Sequence, residues 1–140
     1  MKQLKLTIEG NPVAQKRHRH HRWGVYDPSS TDKQKIVKTI SKQSINLLYK
    51  KFYTEKPVYI QIYFHIQRPK SHFRTGKNSK LLKKSSPLFH IQKPDIDNYI
   101  KLYMDCLKNI WKDDSQVIKI TSSKDWVEKN PFTEISVYEV

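Results

Sequence analysis

One cysteine, Cys106, is all that the 140-residue sequence holds, so no disulfide can close within the chain. That fits a reducing compartment, and a cytoplasmic protein is expected. No apolar run reaches the roughly eighteen residues that a membrane-spanning helix needs. No basic amphipathic helix stands apart from the core pattern either, so a membrane surface is not the expected partner. The chain starts Met-Lys-Gln-Leu-Lys and alternates, unlike a secretory leader. Glycine is scarce, at 3 residues, and with the abundance of Lys and Ile this suits an AT-rich genome or phage. No internal repeat or low-complexity tract is present. Acid is the most telling shortage: 13 Asp and Glu stand against 27 Lys and Arg, a formal charge of +14. Such an imbalance favours a polyanionic partner, and nucleic acid is the usual one. The length suits one domain with a modest core.

The few acids are not scattered. Five of the 13 fall between residues 93 and 117: Asp95, Asp97, Asp105, Asp113 and Asp114. A basic chain that gathers its aspartates has a use for something positive there. Pro94 suits a helix start, and Asp95 or Asp97 can cap it. Ile96, Ile100, Met104, Leu107 and Trp111 then recur at helical steps as one apolar stripe, with Asp97, Lys101, Asp105 and Lys108 on another face. Asn109 is the expected stop. A tight return into a strand from Gln116 to Thr121 would bring Asp114 back toward Asp95 and Asp97. Three carboxylates are hard oxygen ligands and suit Mg²⁺ or Mn²⁺ better than zinc. Lys101 would sit beside a bound phosphate as a point charge. The competing reading is a solvated helix face laced by Asp97–Lys101 and Asp105–Lys101 pairs, each worth about 0.2–0.5 kcal/mol. Spacing alone leaves both open. Cys106, inside this helix, reads as a small buried or half-buried residue.

Elsewhere the chain alternates strands and helices. Leu4, Leu6 and Ile8 mark a half-buried strand ending at Gly10. Residues 15–23 read as an electropositive arm in which Lys16, Arg17 and Arg19 contact phosphates. Trp23 is placed there to stack on a base or to pack on the domain. His18, His20 and His21 suggest a metal site, but a structural zinc site wants four fixed ligands and no cysteine helps. Gly24 to Ser30 reads as a turn, and Thr31 with Gln34 as a capping box. A long helix follows through Ile36, Val37, Ile40, Leu47 and Leu48, exposing Lys33, Lys35, Lys38 and Lys42. Val58 to Ile66 is the clearest strand, with His65 on its outer surface. Residues 67–93 contain Arg68, Lys70, Arg74, Lys77 and Lys93, no acid and little periodicity. They read as a phosphate-gripping flap that orders on DNA, anchored by Phe73, Leu88 and Phe89, with Phe73 also a candidate wedge. Thr133 to Val140 is a last strand. The order predicts a single two-layer α/β domain of the α+β kind, a mixed β-sheet covered by helices.

Lys-Pro-Asp-x-Asp-Asn, then Lys101 and Asp105, then Asp113-Asp114-x-Gln-Val closely resembles the RusA family of Holliday junction resolvases. Gly10-Asn-Pro-Val-Ala-Gln-Lys-Arg, Tyr26-x-Pro28 and the basic stretch Arg68–Lys77 extend the resemblance along nearly the whole chain. Members often carry an Asn-Gly pair where Ile110 follows Asn109 here. The resemblance implies a homodimeric, Mg²⁺-dependent endodeoxyribonuclease, often of phage or prophage origin, with Mn²⁺ as a substitute. It would cut a four-way junction in two symmetric places in DNA recombination and repair. By position it implies that Asp95, Asp97 and Asp114 hold the metal and that Lys101 is the catalytic lysine. Asp105 and Asp113 would be supporting acids, and Lys124 the recurring downstream lysine at the DNA. The rival readings are a non-catalytic junction-binding homologue, a general branched-DNA nuclease, and an RNA-binding adaptor, the last of which leaves the clustered aspartates without a use.

Overall fold

The computed structural model describes residues 2–45 and 50–140. Six strands and two helices follow in order: β1 (Gln3–Glu9), β2 (Arg19–His21), β3 (Gly24–Tyr26), α1 (Ser30–Gln43), β4 (Val58–Gln67), α2 (Ile96–Cys106), β5 (Val117–Val127) and β6 (Phe132–Glu139). Four of them form a sheet in the order β1-β6-β4-β5, and β2 with β3 forms a separate hairpin. The sheet is mixed, because β4 and β5 run parallel while β6 pairs antiparallel with both β1 and β4. Both helices pack on it, as the order of elements predicts.

Alternation explains the core. Leu4, Leu6 and Ile8 from β1, Val58 to Ile66 from β4 and Ile135 with Val137 from β6 turn inward. They meet Ile36 and Ile40 of α1 and Tyr99, Leu102, Tyr103 and Cys106 of α2. The buried side of α2 is therefore not the predicted stripe. Ile96, Ile100 and Met104 are only partly buried, while Leu107 and Trp111 are buried beyond the helix end. Two tyrosines take the centre because they can pack apolar rings there, and Tyr103 also satisfies its hydroxyl. Tyr103 Oη accepts from Val13 N at 3.3 Å and from Thr133 Oγ1 at 3.1 Å. Periodicity that counts only aliphatic residues misplaces the face by about one position.

Three other expectations are corrected. The helix ends at Cys106, not Asn109, with Leu107 as its cap. Of the segment expected as a turn, Gly24–Tyr26 is a strand and the turn is confined to Pro28 and Ser29, while a second turn at Arg22 and Trp23 closes the hairpin. The first long helix starts at Ser30, Ser29 caps it with its backbone alone, and Thr31 lies inside it. Leu47 and Leu48 fall outside the described residues.

The basic segment before α2 is folded rather than loose. Trp126, on β5, is its hub: His90 lies 4.2 Å and His72 5.0 Å away between ring centroids, and Trp126 Nε1 donates to Phe89 O at 3.2 Å. Arg68 lies near the same ring, at 5.9 Å from its centroid, and donates to Pro87 O at 2.7 Å. Phe73 bridges to Leu82, and Ser86 Oγ donates to His72 O. Leu88 and Phe89, expected as anchors, are 75% and 69% exposed. The polar ring of Trp126 and two histidines replaces the apolar anchor that the sequence suggested.

Candidate active site

The start of α2 is where the chain's charge pattern converges. Asp95 is its N-cap residue, but its side chain makes no capping hydrogen bond; the Asp95 carbonyl takes Asn98 N at 3.1 Å instead. Asp97 lies in the first turn, and Asp95, Asp97 and Lys101 are all exposed. None of the three takes part in the ion pairs of the described residues. The Asp97–Lys101 and Asp105–Lys101 pairs of the purely structural reading are not formed.

Basic chain meets this acidic corner from two directions. Gln15 N donates to Asn98 O at 2.9 Å, which fixes the root of the Lys16–Arg22 arm to the first turn of α2. The folded basic segment enters from the other side, and Lys124 Nζ donates to Gln92 O at 2.7 Å and to Pro94 O at 3.0 Å. Lys124 thereby holds the last residues before Asp95 to the middle of β5. Of the basic candidates, Lys16, Arg17, Arg19, Lys70, Arg74, Lys77 and Lys93 are exposed, Lys124 is half-buried and Arg68 is buried.

The remaining acids stand at the far end of α2 and have protein partners. Asp105 Oδ2 accepts from Lys33 Nζ at 2.9 Å, and the same Lys33 donates to Asp27 Oδ2 at 2.6 Å. The Lys33 hydrogen bond, helped by Ser29 N–H and Gln15, holds the Asp27 carboxyl down at about 2. Burial alone would pull the Lys33 pKa down, but its bonds to the two aspartates outweigh it and raise the value. Lys33, read as exposed from sequence, is thus the tie between α1, α2 and the arm. Nearby, burial pushes the Cys106 thiol up to about 12, leaving it inert. Asp113 caps a 3-10 turn at Asp114–Gln116 through a reciprocal capping box with Gln116, and its hydrogen bonds from Ser115 hold its pKa below the usual carboxylate range. Asp114 Oδ1 accepts from Trp111 Nε1 at 2.9 Å.

The tight return from α2 into β5 exists, yet it does not carry Asp114 back to Asp95. Helix α2 has 11 residues and so is about 16 Å long. Lys124 marks its start, whereas Asp114 hangs from Trp111 beyond its end. Among the described residues no three His, Cys, Asp or Glu side chains are grouped to hold a metal. Asp95 and Asp97 nonetheless fit half of a hard-cation site: two oxygen donors, exposed, close in sequence and claimed by no cation among the described residues. Nothing in the sequence spacing signalled the Lys33 tie, because its partners come from a loop and a second helix.

The profile of the Endodeoxyribonuclease RusA family matches residues 9–138. This chain belongs to the RusA family. The family is one of endodeoxyribonucleases, which supports nuclease activity on DNA. The match includes the arm, the basic segment, the acidic helix and β5, so each part of the candidate site lies within the family region. The chain is also similar to the uncharacterized protein YqaN of Bacillus subtilis strain 168. The two are 34% identical over 143 aligned positions, which cover 98% of this chain and 96% of that protein. No helix among the described residues is long and apolar enough to cross a membrane.

Proposed function

We propose that this chain is a structure-specific, Mg²⁺-dependent endodeoxyribonuclease that works in the cytoplasm as a homodimer and resolves four-way DNA junctions by paired, symmetric hydrolysis. One observation carries the reading. Asp95, Asp97 and Lys101 form an exposed, unpaired group between two basic segments, a cost in self-repulsion that a bound cation and phosphate would relieve. Asp95 and Asp97 would hold Mg²⁺, with Mn²⁺ able to substitute. When bound, the metal supplies a water of lowered pKa and offsets charge on the phosphoryl oxygens. Lys101, one turn after Asp97, is in place to stabilise the leaving oxygen, and the exposed Lys and Arg of the arm and basic segment position the backbone.

A second copy gives Asp114 a part in this. Strand β5 is an edge of the sheet, and Ile118 and Ile120 on it are 61% and 40% exposed. An unprotected edge with apolar side chains is a pairing surface. Two-fold antiparallel pairing of β5 with its copy swaps the strand ends. It sets the Asp114 end of one chain beside the Asp95 end of the other, and completes two sites at once.

The deciding experiment is cleavage of an end-labelled synthetic four-way junction, with and without Mg²⁺, against a linear duplex of the same sequence. Paired nicks at symmetric positions, only with metal and only in the junction, are expected. Equal cutting of flaps, forks and junctions would replace resolution by general branched-DNA cleavage. Junction binding with no cutting under either condition would sink the enzymatic reading.

A further inference from the structure

We infer that the β2–β3 hairpin is a base-stacking probe: Trp23 at its tip takes up an unpaired nucleobase at the branch point while the basic stem grips the adjoining phosphates. The inference deepens the proposed function and rests on it for the identity of the substrate. Trp23 is 83% exposed, the most exposed of the large aromatic side chains among the described residues. An indole left in water at the end of a two-stranded projection has no folding role, because it buries nothing. Arg22 lies with its guanidinium 5.2 Å from the Trp23 ring centroid, so the tip presents a stacked cation and π-face together. Such a pair binds a base by its face and the neighbouring phosphate by charge.

The hairpin is aimed as well as exposed. Lys16 N donates to Ser29 Oγ at 3.0 Å and Gln15 Nε2 to Asp27 Oδ1 at 2.8 Å. With Gln15 N on Asn98 O, the root is bolted to the first turn of the acidic helix. Asp27, the acid at the root, is claimed by Lys33 at 2.6 Å and lies 3.9 Å from His18 Nε2, so its charge is met at the root of the arm. Eight residues from Gln15 to Trp23 span at most about 26 Å. The tip therefore samples bases within about eight base steps, at roughly 3.4 Å each, of a phosphate at Asp95 and Asp97. An intact duplex offers no free base face there, whereas a branch point or a single strand does.

The test combines fluorescence and binding on the full chain. Oligothymidine and an immobile four-way junction are expected to quench tryptophan emission. Trp23→Phe should remove most of that quench, since Trp111 is buried and Trp126 is packed within the basic segment. Trp23→Ala should weaken binding to the junction and to oligothymidine about tenfold, the loss of one base–aromatic stack. Duplex affinity and the salt dependence should stay as in the parent, because no charge is removed. Trp23→Phe should keep most of the affinity, and a thermal melt identical to the parent's would establish that both variants fold. Equal affinity of Trp23→Ala and parent for all three DNAs would overturn the inference, as would an equal loss on duplex and junction. A parent that shows Trp23-dependent binding of branched DNA but never cuts would remove the nuclease reading and leave the probe in place. A parent that binds none of the three DNAs would overturn both.

Discussion

The two ends of α2 treat their aspartates in opposite ways. At the C-terminal end and just beyond it every acid has a partner: Asp105 has Lys33, Asp113 has Ser115 and Gln116, and Asp114 has the Trp111 indole. At the N-terminal end Asp95 and Asp97 are exposed and outside every described ion pair, in a chain with twice as many cations as anions. With 27 Lys and Arg available, that difference is what the proposed metal site requires of its carboxylates. The contrast separates holding the fold from acting on a substrate within one short helix.

Breaking the free end should have the largest effect on function. Asp95→Asn and Asp97→Asn should each lower junction cleavage at least about a hundredfold, as loss of a metal-binding carboxylate does. Stability in chemical denaturation should stay within about 0.5 kcal/mol of the parent, since neither side chain has an ion-pair partner among the described residues. Junction binding should hold or tighten, because a negative charge facing DNA is removed. An Asp97→Asn protein that cuts at the parental rate would refute the assignment of that end.

Breaking the tied end should do the reverse. Lys33→Met removes the cation that Asp27 and Asp105 share and leaves Asp105 only its longer pair with Lys108, at 3.7 Å. The site is only partly buried, so solvent screens part of the loss, and about 1–2 kcal/mol of destabilisation is expected by urea melts. Cleavage per folded molecule should stay close to the parent's. An unchanged urea midpoint would show that the tie contributes nothing, and the contrast between the two ends would lose its structural half.

The sequence was legible where one principle dominated. Alternation alone found β1, β4 and β6, since a half-buried strand must alternate, and the acidic window was visible because the rest of the chain is so basic. Tyr99 and Tyr103 had no place in the expected stripe, because their hydroxyls mark as polar two residues whose rings are buried. The Lys33 tie could not be read, as it joins a loop, α1 and α2 across 72 residues of sequence at its widest. The folded basic segment escaped for a related reason: its core joins Trp126, from a distant strand, to His72, His90 and Arg68, residue types that periodicity does not count as apolar. Asp114 was expected beside Asp95 through a tight return, whereas its carboxylate accepts from Trp111 beyond the end of α2.

That Trp126 cluster supplies the mildest perturbation, and it sharpens the comparison by acting on the segment that leads into the free end. Burial holds the His72 pKa below its ordinary 6.5, with the charges of Arg68 and Lys83 adding to the effect. Burial and then Lys124 do the same for His90. Both rings are thus neutral in the folded chain while the unfolded chain still takes up a proton. Their contribution to stability is complete above pH 6.5 and is lost as the pH falls from there through the lower, folded values. The denaturation midpoint should therefore drop between pH 7.5 and pH 5, by less than Lys33→Met costs at neutral pH. A His72→Asn, His90→Asn double variant should lose most of this slope. Because Lys124 ties the same segment to Pro94 O, junction cleavage should decline over the same pH interval in the parent and less in the double variant. A parent whose midpoint stays flat across that interval would show that the two histidines titrate alike in both states, and that the segment is held by the Trp126 contacts without regard to their charge.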